Sequence, residues 1–225
     1  MSLPQSDLPS GRADLPSGRA DLAAGRARAV EAAIQLVEEH GSAGLTFSGV
    51  ASRLNLSSAG LGRYIASYED LLEAVAERWF APKIAIMEEV VASDLPPRRK
   101  MYEFFARRFD HIRAIHRADP VVFQAYCDIG NQHFELVRSY VDLGDHYLCQ
   151  IIVEGMADGY FPGLSIDEAL SLINQMIAAY VNITLMAMVM DKLSEAKLAR
   201  IVDAIFDGLS AEARGAQALS GLRAA

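Results

Sequence analysis

The stretch TFSGVASRLNLSSAGLGRY, residues 46–64, decides the fold of the N-terminal region. Thr46 is a suitable N-cap for one short helix, and Ser57 is a suitable N-cap for a second. Between these helices, Asn55 tolerates the left-handed backbone that a sharp turn requires. Ala51 is small enough to lie where two steeply crossing helices touch. The stretch therefore predicts a helix-turn-helix.

An amphipathic helix is expected before this motif. Apolar residues recur at helical spacing over residues 30–37, which predicts a helix that begins near Gly25 and stops at Gly41. The preceding residues contain a repeat, Leu8–Asp14, which is copied at residues 15–21 and more faintly at residues 22–28. Proline and glycine in the copies exclude a coiled coil, so residues 1–22 are expected to be a flexible tail.

Helices are also predicted for the rest of the chain, and no alternating run predicts a strand. The expected helices cover Ser67–Phe80, Arg98–Arg117, one opened by Asp119-Pro120, His133–Asp158, Ile166–Lys192 and Ser194–Leu209. Pro82 is expected to kink or interrupt the helix that starts at Ser67.

Composition indicates a chain that forms a core, with 52% hydrophobic and 22% charged residues among 225. The net charge of −8 argues at first against nucleic acid as a partner. Residues 22–68, however, contain four arginines and three glutamates, so most of the acid lies elsewhere. Cys127 and Cys149 lie in apolar helical segments, and we expect free thiols there.

Several short matches accumulate between Arg26 and Leu72. They are Glu39-His40-Gly41, Thr46, Val50-Ala51, Leu56-Ser57, Leu61, Arg63-Tyr64, Ser67, Glu69 and Leu71-Leu72. In this order they resemble the TetR family of one-component bacterial regulators. The resemblance implies an all-α fold, with an N-terminal three-helix helix-turn-helix DNA-binding domain and a C-terminal helical bundle for ligand binding and dimerisation. On this division, residues 1–22 are a tail, 23–68 bind DNA, 69–212 bind ligand and dimerise, and 213–225 are a second tail.

The resemblance also implies DNA contacts. The matching positions are Thr46, Ser48, Ser57, Ser58, Gly60, Arg63, Tyr64 and Tyr68. The sequence departs from the family pattern at Gly62, Ile65 and Tyr68, where tyrosine, phenylalanine and lysine are usual. The changes at Gly62 and Tyr68 remove one aromatic and one charged contact to the DNA backbone.

The C-terminal part is rich in aromatic residues and methionine, a pattern typical both of ordinary core packing and of an apolar effector pocket. Our candidates for the pocket are Phe105, Phe109, Tyr126, Tyr147, Met176 and Tyr180.

The sequence fits two other classes of protein, membrane proteins and enzymes, less well. Ser171–Met190 has 20 uncharged residues, long enough for a membrane span, but its internal polar residues and acidic flanks favour a buried helix. Asp142, Asp145 and His146 lie near one another on a predicted helix and could bind a metal ion. A polar helix surface explains them better. No nucleophile elbow, phosphate loop or dinucleotide fingerprint occurs. We therefore do not expect the protein to span a membrane, to catalyse a reaction, or to bind a cofactor or a metal ion.

The sequence predicts a cytoplasmic, homodimeric, ligand-responsive regulator, most simply a repressor of a palindromic double-stranded operator. The helix starting at Ser57 would enter a major groove. Ile166–Lys192 and Ser194–Leu209 would pair with their copies in the dimer. A small apolar or amphipathic effector would favour a conformation with the wrong half-site spacing. The alternative is a helical small-molecule-binding protein with lost or weak DNA recognition.

Overall fold

The computed structural model describes residues 18–210, which fold into helices and contain no strand. The helices are α1 (Arg19–His40), α2 (Phe47–Arg53), α3 (Ser58–Leu61), α4 (Tyr68–Val91), α5 (Pro97–Ala118), α6 (Pro120–Gln132), α7 (Phe134–Ala157), α8 (Ile166–Met176), α9 (Ala178–Val181), α10 (Ile183–Val189) and α11 (Glu195–Leu209). Two 3₁₀ turns, Ser42–Gly44 and Met190–Lys192, complete the described chain. The predicted all-α fold, with an N-terminal helix-turn-helix and a C-terminal bundle, is confirmed.

Helix α1 begins earlier than predicted, at Arg19 instead of near Gly25. The third repeat copy has alanines in place of proline and serine, so nothing stops the helix from extending back to Gly18. The last four residues of the expected 1–22 tail are therefore helical. Residues 1–17 of that tail, and the expected tail 213–225, lie outside the described residues. The end at Gly41 is confirmed: its φ is 67° and its N–H donates to the Val37 carbonyl at 2.8 Å.

Helix α4 runs through Pro82 without interruption, so the predicted end at Phe80 was wrong. Proline removes one backbone hydrogen bond from a helix interior. The apolar face nevertheless continues beyond it, because Met87 and Val90 are almost fully buried in the core. Burial of that second half stabilises the helix against the loss.

The predicted helix Ile166–Lys192 is broken into α8, α9 and α10. The second break is at Asn182, whose backbone is extended (φ −80°, ψ 113°) and whose side-chain oxygen accepts a hydrogen bond from Leu185 N at 3.0 Å. An asparagine that caps the following turn competes with helix continuation. None of the helices between residues 18 and 210 has both the length and the apolar character needed to cross a membrane.

Two apolar clusters organise the molecule. The N-terminal core joins α1, the helix-turn-helix and the start of α4, and includes Val37, Leu61 and Ile65. The C-terminal core joins α4, α5, α7, α8 and α11, and includes Phe104 and Phe206. Helices α4 and α6 contribute side chains to both cores.

Candidate DNA-binding surface and effector cavity

The turn between α2 and α3 is built by local side-chain chemistry. Thr46 Oγ1 accepts a hydrogen bond from Gly49 N at 3.0 Å, and Ser57 Oγ accepts one from Gly60 N at 3.0 Å. Asn55 between them has a left-handed backbone with φ 55°. These three features confirm the predicted caps and turn, because each depends only on residues close in sequence.

Helix α3 is shorter than a helix extending through Tyr64. It spans four residues, ends at Leu61 with Gly62 as its C-cap, and passes into a turn in which Tyr64 N donates to the Leu61 carbonyl at 2.9 Å. Glycine has a helix propensity about 1 kcal/mol below that of alanine, and Gly60 and Gly62 both occur here. The surface that the sequence predicts to contact DNA is thus one helical turn with its flanking caps.

The structure brings most of the predicted DNA-contact residues to solvent on this surface. Those that are exposed are Thr46, Ser48, Ser57, Ser58 and Arg63, while Gly60 is half-buried. Together they form what we call the DNA face.

Two predicted contacts, Tyr64 and Tyr68, also have intramolecular partners. The Tyr64 ring covers Gly25 of α1 so closely that a Cβ atom added there would lie 2.0 Å from Tyr64 Cδ1. The Tyr68 ring lies edge-on to His133, with 6.4 Å between ring centroids, and burial raises the pKa of its hydroxyl. Both rings therefore help to join elements within the protein.

Two arginines of the N-terminal region form ion pairs within the protein. Arg53 pairs with Glu39 and, through that hydrogen bond, holds the pKa of Glu39 below its ordinary value. Arg26 pairs with Asp70 at 2.7 Å and ties α1 to α4. These arginines stabilise the fold of the domain, which leaves fewer cations to contact phosphate.

A cavity of about 230 Å³ lies between α4, α5, α6, α7 and the broken segment around Asn182. Its wall is mainly apolar and aromatic. The lining includes Trp79, Phe80, Ile84, Met87, Ile112, Tyr126, Ile129, Tyr140, Tyr180, Val181 and Met186. Such a wall with a few polar groups is typical of a small-molecule site. We call it the effector cavity.

Of the predicted pocket residues, Tyr126 and Tyr180 line the effector cavity. Phe105 lines an adjacent cavity of about 310 Å³. Phe109 is fully buried and packs edge-on against the Tyr180 ring, with 5.1 Å between centroids, so it supports the wall from behind.

Tyr147 and Met176 do not line the effector cavity. The Tyr147 hydroxyl donates to Glu88 Oε1 at 3.0 Å on the exterior, and Met176 is 41% exposed. Both were chosen because the C-terminal part is rich in aromatic residues and methionine, and that composition does not tell which neighbour each side chain meets.

Two basic residues that the sequence analysis missed, Lys83 and Arg108, line the effector cavity. Lys83 Nζ donates to the Tyr126 hydroxyl and lies 3.8 Å from the centroid of the Phe80 ring. The Arg108 guanidinium carbon lies 4.8 Å from the centroid of the Phe104 ring, and Arg108 Nε is buried without a hydrogen-bond partner. The available signal was spacing, since Arg108 lies four residues after Phe104 and four before Ile112 on one apolar face.

Burial disfavours the charge of both cations. It lowers the pKa of Lys83 well below its ordinary value, with a further contribution from Arg108, and it lowers the pKa of Arg108 to about 10. Burial also raises the pKa of Tyr126, which keeps that hydroxyl neutral.

No carboxylate among the described residues forms an ion pair with either cation. Asp145 partly offsets the lowered pKa of Arg108 through its charge. Its Oδ1, however, accepts a hydrogen bond from Asn174 Nδ2 at 2.9 Å. The two cations therefore lack a directly bonded acid.

The residues between 18 and 210 hold no group of three His, Cys, Asp or Glu side chains that could ligate a metal ion. Cys127 and Cys149 are free thiols, as predicted, the first buried and the second half-buried.

An N-terminal helix-turn-helix, continued by one long helix into a helical bundle with an apolar cavity, is the architecture that the predicted one-component regulator requires. Residues 97–202 match the family model described as the tetracyclin repressor-like C-terminal domain. This match covers somewhat less than half of the chain and shows that its C-terminal region is similar to the C-terminal domain of tetracyclin repressor-like proteins.

Solved structures of the same fold cover most of this chain. The fatty acid degradation regulator FadR from Bacillus halodurans is 18% identical with a TM-score of 0.56, over 84% of this chain and 96% of its own. FadR from Bacillus subtilis, solved in complex with stearoyl-CoA, is 18% identical with a TM-score of 0.53, over 84% and 99%. PfmR from Thermus thermophilus is 18% identical with a TM-score of 0.51, over 81% and 98%. No curated protein matches the sequence.

Proposed function

We propose that this protein is a homodimeric repressor that leaves a palindromic operator when an amphipathic ligand fills the effector cavity. The observation that carries the proposal is the position of α4 and α6. Both helices line the cavity, and both pack into the N-terminal core that holds the helix-turn-helix. A ligand that moves either helix therefore acts on the DNA face.

The coupling has specific contacts on each helix. On α4, Trp79 lines the cavity and packs against both cores. On α6, Ile129 lines the cavity and belongs to the N-terminal core, while Asp128 accepts a hydrogen bond from Ser42 Oγ at 3.0 Å. A coupling of about 1–3 kcal/mol between the two sites is enough to change operator affinity 5- to 150-fold.

On the DNA side, we propose that the DNA face supplies the contacts. Hydroxyl groups at Thr46, Ser48, Ser57 and Ser58 donate to phosphates or base edges, and Arg63 supplies the cation. Tyr64 positions α3 against α1. Because the face has few cations, the affinity should depend only weakly on salt concentration.

We propose that the dimer forms through α8 and α10 together with α11. Exposed apolar side chains lie on the first two helices, with Leu172 38%, Met176 41%, Leu185 43% and Met188 74% exposed. Scattered exposed apolar residues are ordinary, but several on neighbouring helices of one segment are typical of a surface that another subunit covers.

The test is fluorescence anisotropy with fragments of the gene's own upstream region, at low and at moderate salt. Wild type is compared with Arg63→Ala and, as a control on the opposite end of the chain, Arg200→Ala. We expect Arg63→Ala alone to lose at least tenfold in affinity. If wild type binds no fragment better than Arg63→Ala does, the regulator proposal fails. Stearoyl-CoA, found in the Bacillus subtilis FadR structure, belongs in the panel of ligands tested for release.

The alternative, a ligand-binding protein with weak DNA recognition, has its own support. Helix α3 ends after one turn with Gly62 as its C-cap, and Tyr68 is engaged with His133. It predicts that ligand binding persists while no upstream fragment binds more tightly than unrelated DNA.

A further inference from the structure

We infer that the ligand of the effector cavity is an amphiphile with one anionic end group, which Lys83 and Arg108 bind while its apolar chain lies against the aromatic wall. The inference rests on the proposed function, because it assigns the chemical class of that ligand. It goes beyond that function in naming the charge of the ligand and the residues that select it.

Lys83 and Arg108 are partly removed from water, which is unfavourable for their positive charges. A charge removed from water is strongly unfavourable unless an opposite charge or hydrogen bonds compensate it. Arg108 Nε has no partner, and no described carboxylate is paired with either cation. An anion in the cavity would supply the missing partner to both.

The aromatic contacts do not remove this need. Lys83 lies over the Phe80 ring at 3.8 Å and Arg108 over the Phe104 ring at 4.8 Å. Such contacts contribute about 0.5–2 kcal/mol in proteins. They orient the two side chains but leave the net positive charge in place.

Lys100, which is more deeply buried than the half-buried Lys83 and Arg108, shows how this chain compensates a structural charge. Lys100 is 5% exposed, and its Nζ lies 2.7 Å from Glu154 Oε2 and 3.0 Å from the Val91 carbonyl oxygen. Lys83 and Arg108 have no equivalent acid among the residues described. The contrast indicates that their partner comes from outside the chain.

The size of the cavity limits the chain of the ligand. About 230 Å³ is just below the roughly 300–1,000 Å³ of pockets for drug-sized ligands. The adjacent cavity shares Arg108, Val141, Val181 and Asn182 with it, so the guanidinium lies between two spaces. A medium-length chain such as that of octanoate is therefore the appropriate first probe.

The experiment uses the fluorescence of Trp79, the single tryptophan of the chain, which lines the cavity. The full-length protein is titrated with octanoate, 1-octanol, octanoyl-CoA and inorganic phosphate. We expect octanoate to bind at least tenfold more tightly than octanol, and phosphate alone to bind weakly. Equal affinity for octanol and octanoate would overturn the inference.

Variants then test which residues select the anion. Lys83→Met and Arg108→Met should each lose at least tenfold in octanoate affinity and retain the affinity for octanol, which also reports that the cavity is folded. Arg107→Met is the matched control, because Arg107 precedes Arg108 on α5 but pairs with Glu103 and Glu89 on the exterior. Retained preference for octanoate in both cavity variants would contradict the assignment.

The octanoyl-CoA arm distinguishes a carboxylate from a phosphate as the anionic group. Octanoyl-CoA that binds more tightly than octanoate supports the inference if Lys83→Met and Arg108→Met weaken its binding. The same result overturns the inference if the two variants leave its binding unchanged. Release from DNA is measured separately. If octanol releases the operator as well as octanoate does, the proposed function stands and this inference fails. If no fragment binds, the proposed function fails and the fluorescence result still decides the charge of the ligand.

Discussion

Lys100 and the pair Lys83 and Arg108 are basic residues of the same helical bundle in opposite electrostatic situations. Lys100 has a carboxylate partner at 2.7 Å, whereas the two residues of the effector cavity have none among the described residues. A compensated buried charge stabilises one fold, and removing its partner is costly. A buried charge without such a partner lowers the stability of the ligand-free fold, and a bound anion can offset that loss. The difference separates a residue that holds the bundle together from residues suited to bind a ligand.

The largest effect is expected on the structural side of this comparison. Lys100→Ala leaves Glu154 without its partner and empties a buried volume between α4, α5 and α7. We expect a loss of about 2–3 kcal/mol, discounted because Glu154 is partly exposed. Thermal unfolding followed by circular dichroism measures it. The control Lys197→Ala, on an exposed side chain, should change the melting temperature little. If Lys100→Ala also leaves the melting temperature unchanged, Lys100 does not differ from Lys83 and Arg108 in the way described above.

The second prediction gives the effector cavity an acid of its own. Met87 lines the cavity one helical turn after Lys83, so Met87→Glu places a carboxylate at i+4 from that lysine. We expect octanoate binding to fall at least tenfold, because the anion now competes with an internal partner. Met87→Gln, which has the same shape without the charge, should keep the preference for octanoate over octanol. If Met87→Glu and Met87→Gln lose the same octanoate affinity, the loss comes from the polarity of the new side chain and not from its charge.

The third prediction is that Arg108→Met stabilises the ligand-free protein. It removes a buried charge that lacks hydrogen bonds at Nε and keeps an unbranched chain of similar length. We expect a gain of about 1–2 kcal/mol, equivalent to roughly 2–4 °C in melting temperature for each kcal/mol in a chain of this size. Arg107→Met should instead lose at most about 1 kcal/mol from its surface ion pairs. A lower melting temperature for Arg108→Met would mean that the guanidinium is compensated in a way we have not described.

The smallest expected effect is a dependence of octanoate binding on pH. Burial and Arg108 lower the pKa of Lys83, and a bound carboxylate raises it again, so binding takes up a proton. Affinity should therefore fall several-fold as pH rises through the lowered pKa of free Lys83 toward its ordinary value near 10.4. The change is measured by Trp79 fluorescence, and Lys83→Met should remove most of the slope.

The other groups around Lys83 do not reproduce this dependence. Burial raises the pKa values of Tyr126 and Tyr140 and lowers that of His111, so each of these groups favours its neutral form. Arg108 titrates only at the upper end, with a pKa of about 10. A slope that persists in Lys83→Met below that value would assign the proton to another group.

Local chemistry explains which parts of the fold were predictable from the sequence. The caps at Thr46 and Ser57, the left-handed Asn55 and the stop at Gly41 depend on residues within a few positions, so the sequence alone indicated them. The continuation of α4 through Pro82 depends on burial by distant helices. The break at Asn182 depends on a choice between two hydrogen-bond patterns that helical periodicity does not reveal.

The effector cavity was predictable only in part for the same reason. Tyr126 and Tyr180 were among the candidates chosen from the aromatic residues of the C-terminal part, and they line the cavity. Lys83 and Arg108 were missed because a charge in an amphipathic helix is ordinarily assigned to the solvent face. Only the tertiary arrangement shows that the helices α6 and α7 close over them.

The glycines of the second and third copies of the N-terminal repeat should differ in how well they tolerate substitution. Gly25 and Gly18 occupy the same position of the repeat. The Tyr64 ring leaves no room for a Cβ on Gly25, whereas none of the described residues lies within 4 Å of a Cβ on Gly18. Arg26, next to Gly25, is likewise held in an ion pair with Asp70. A library of variants over both copies should therefore recover many residues at position 18 and almost only glycine at position 25, although both positions belong to the same repeating pattern.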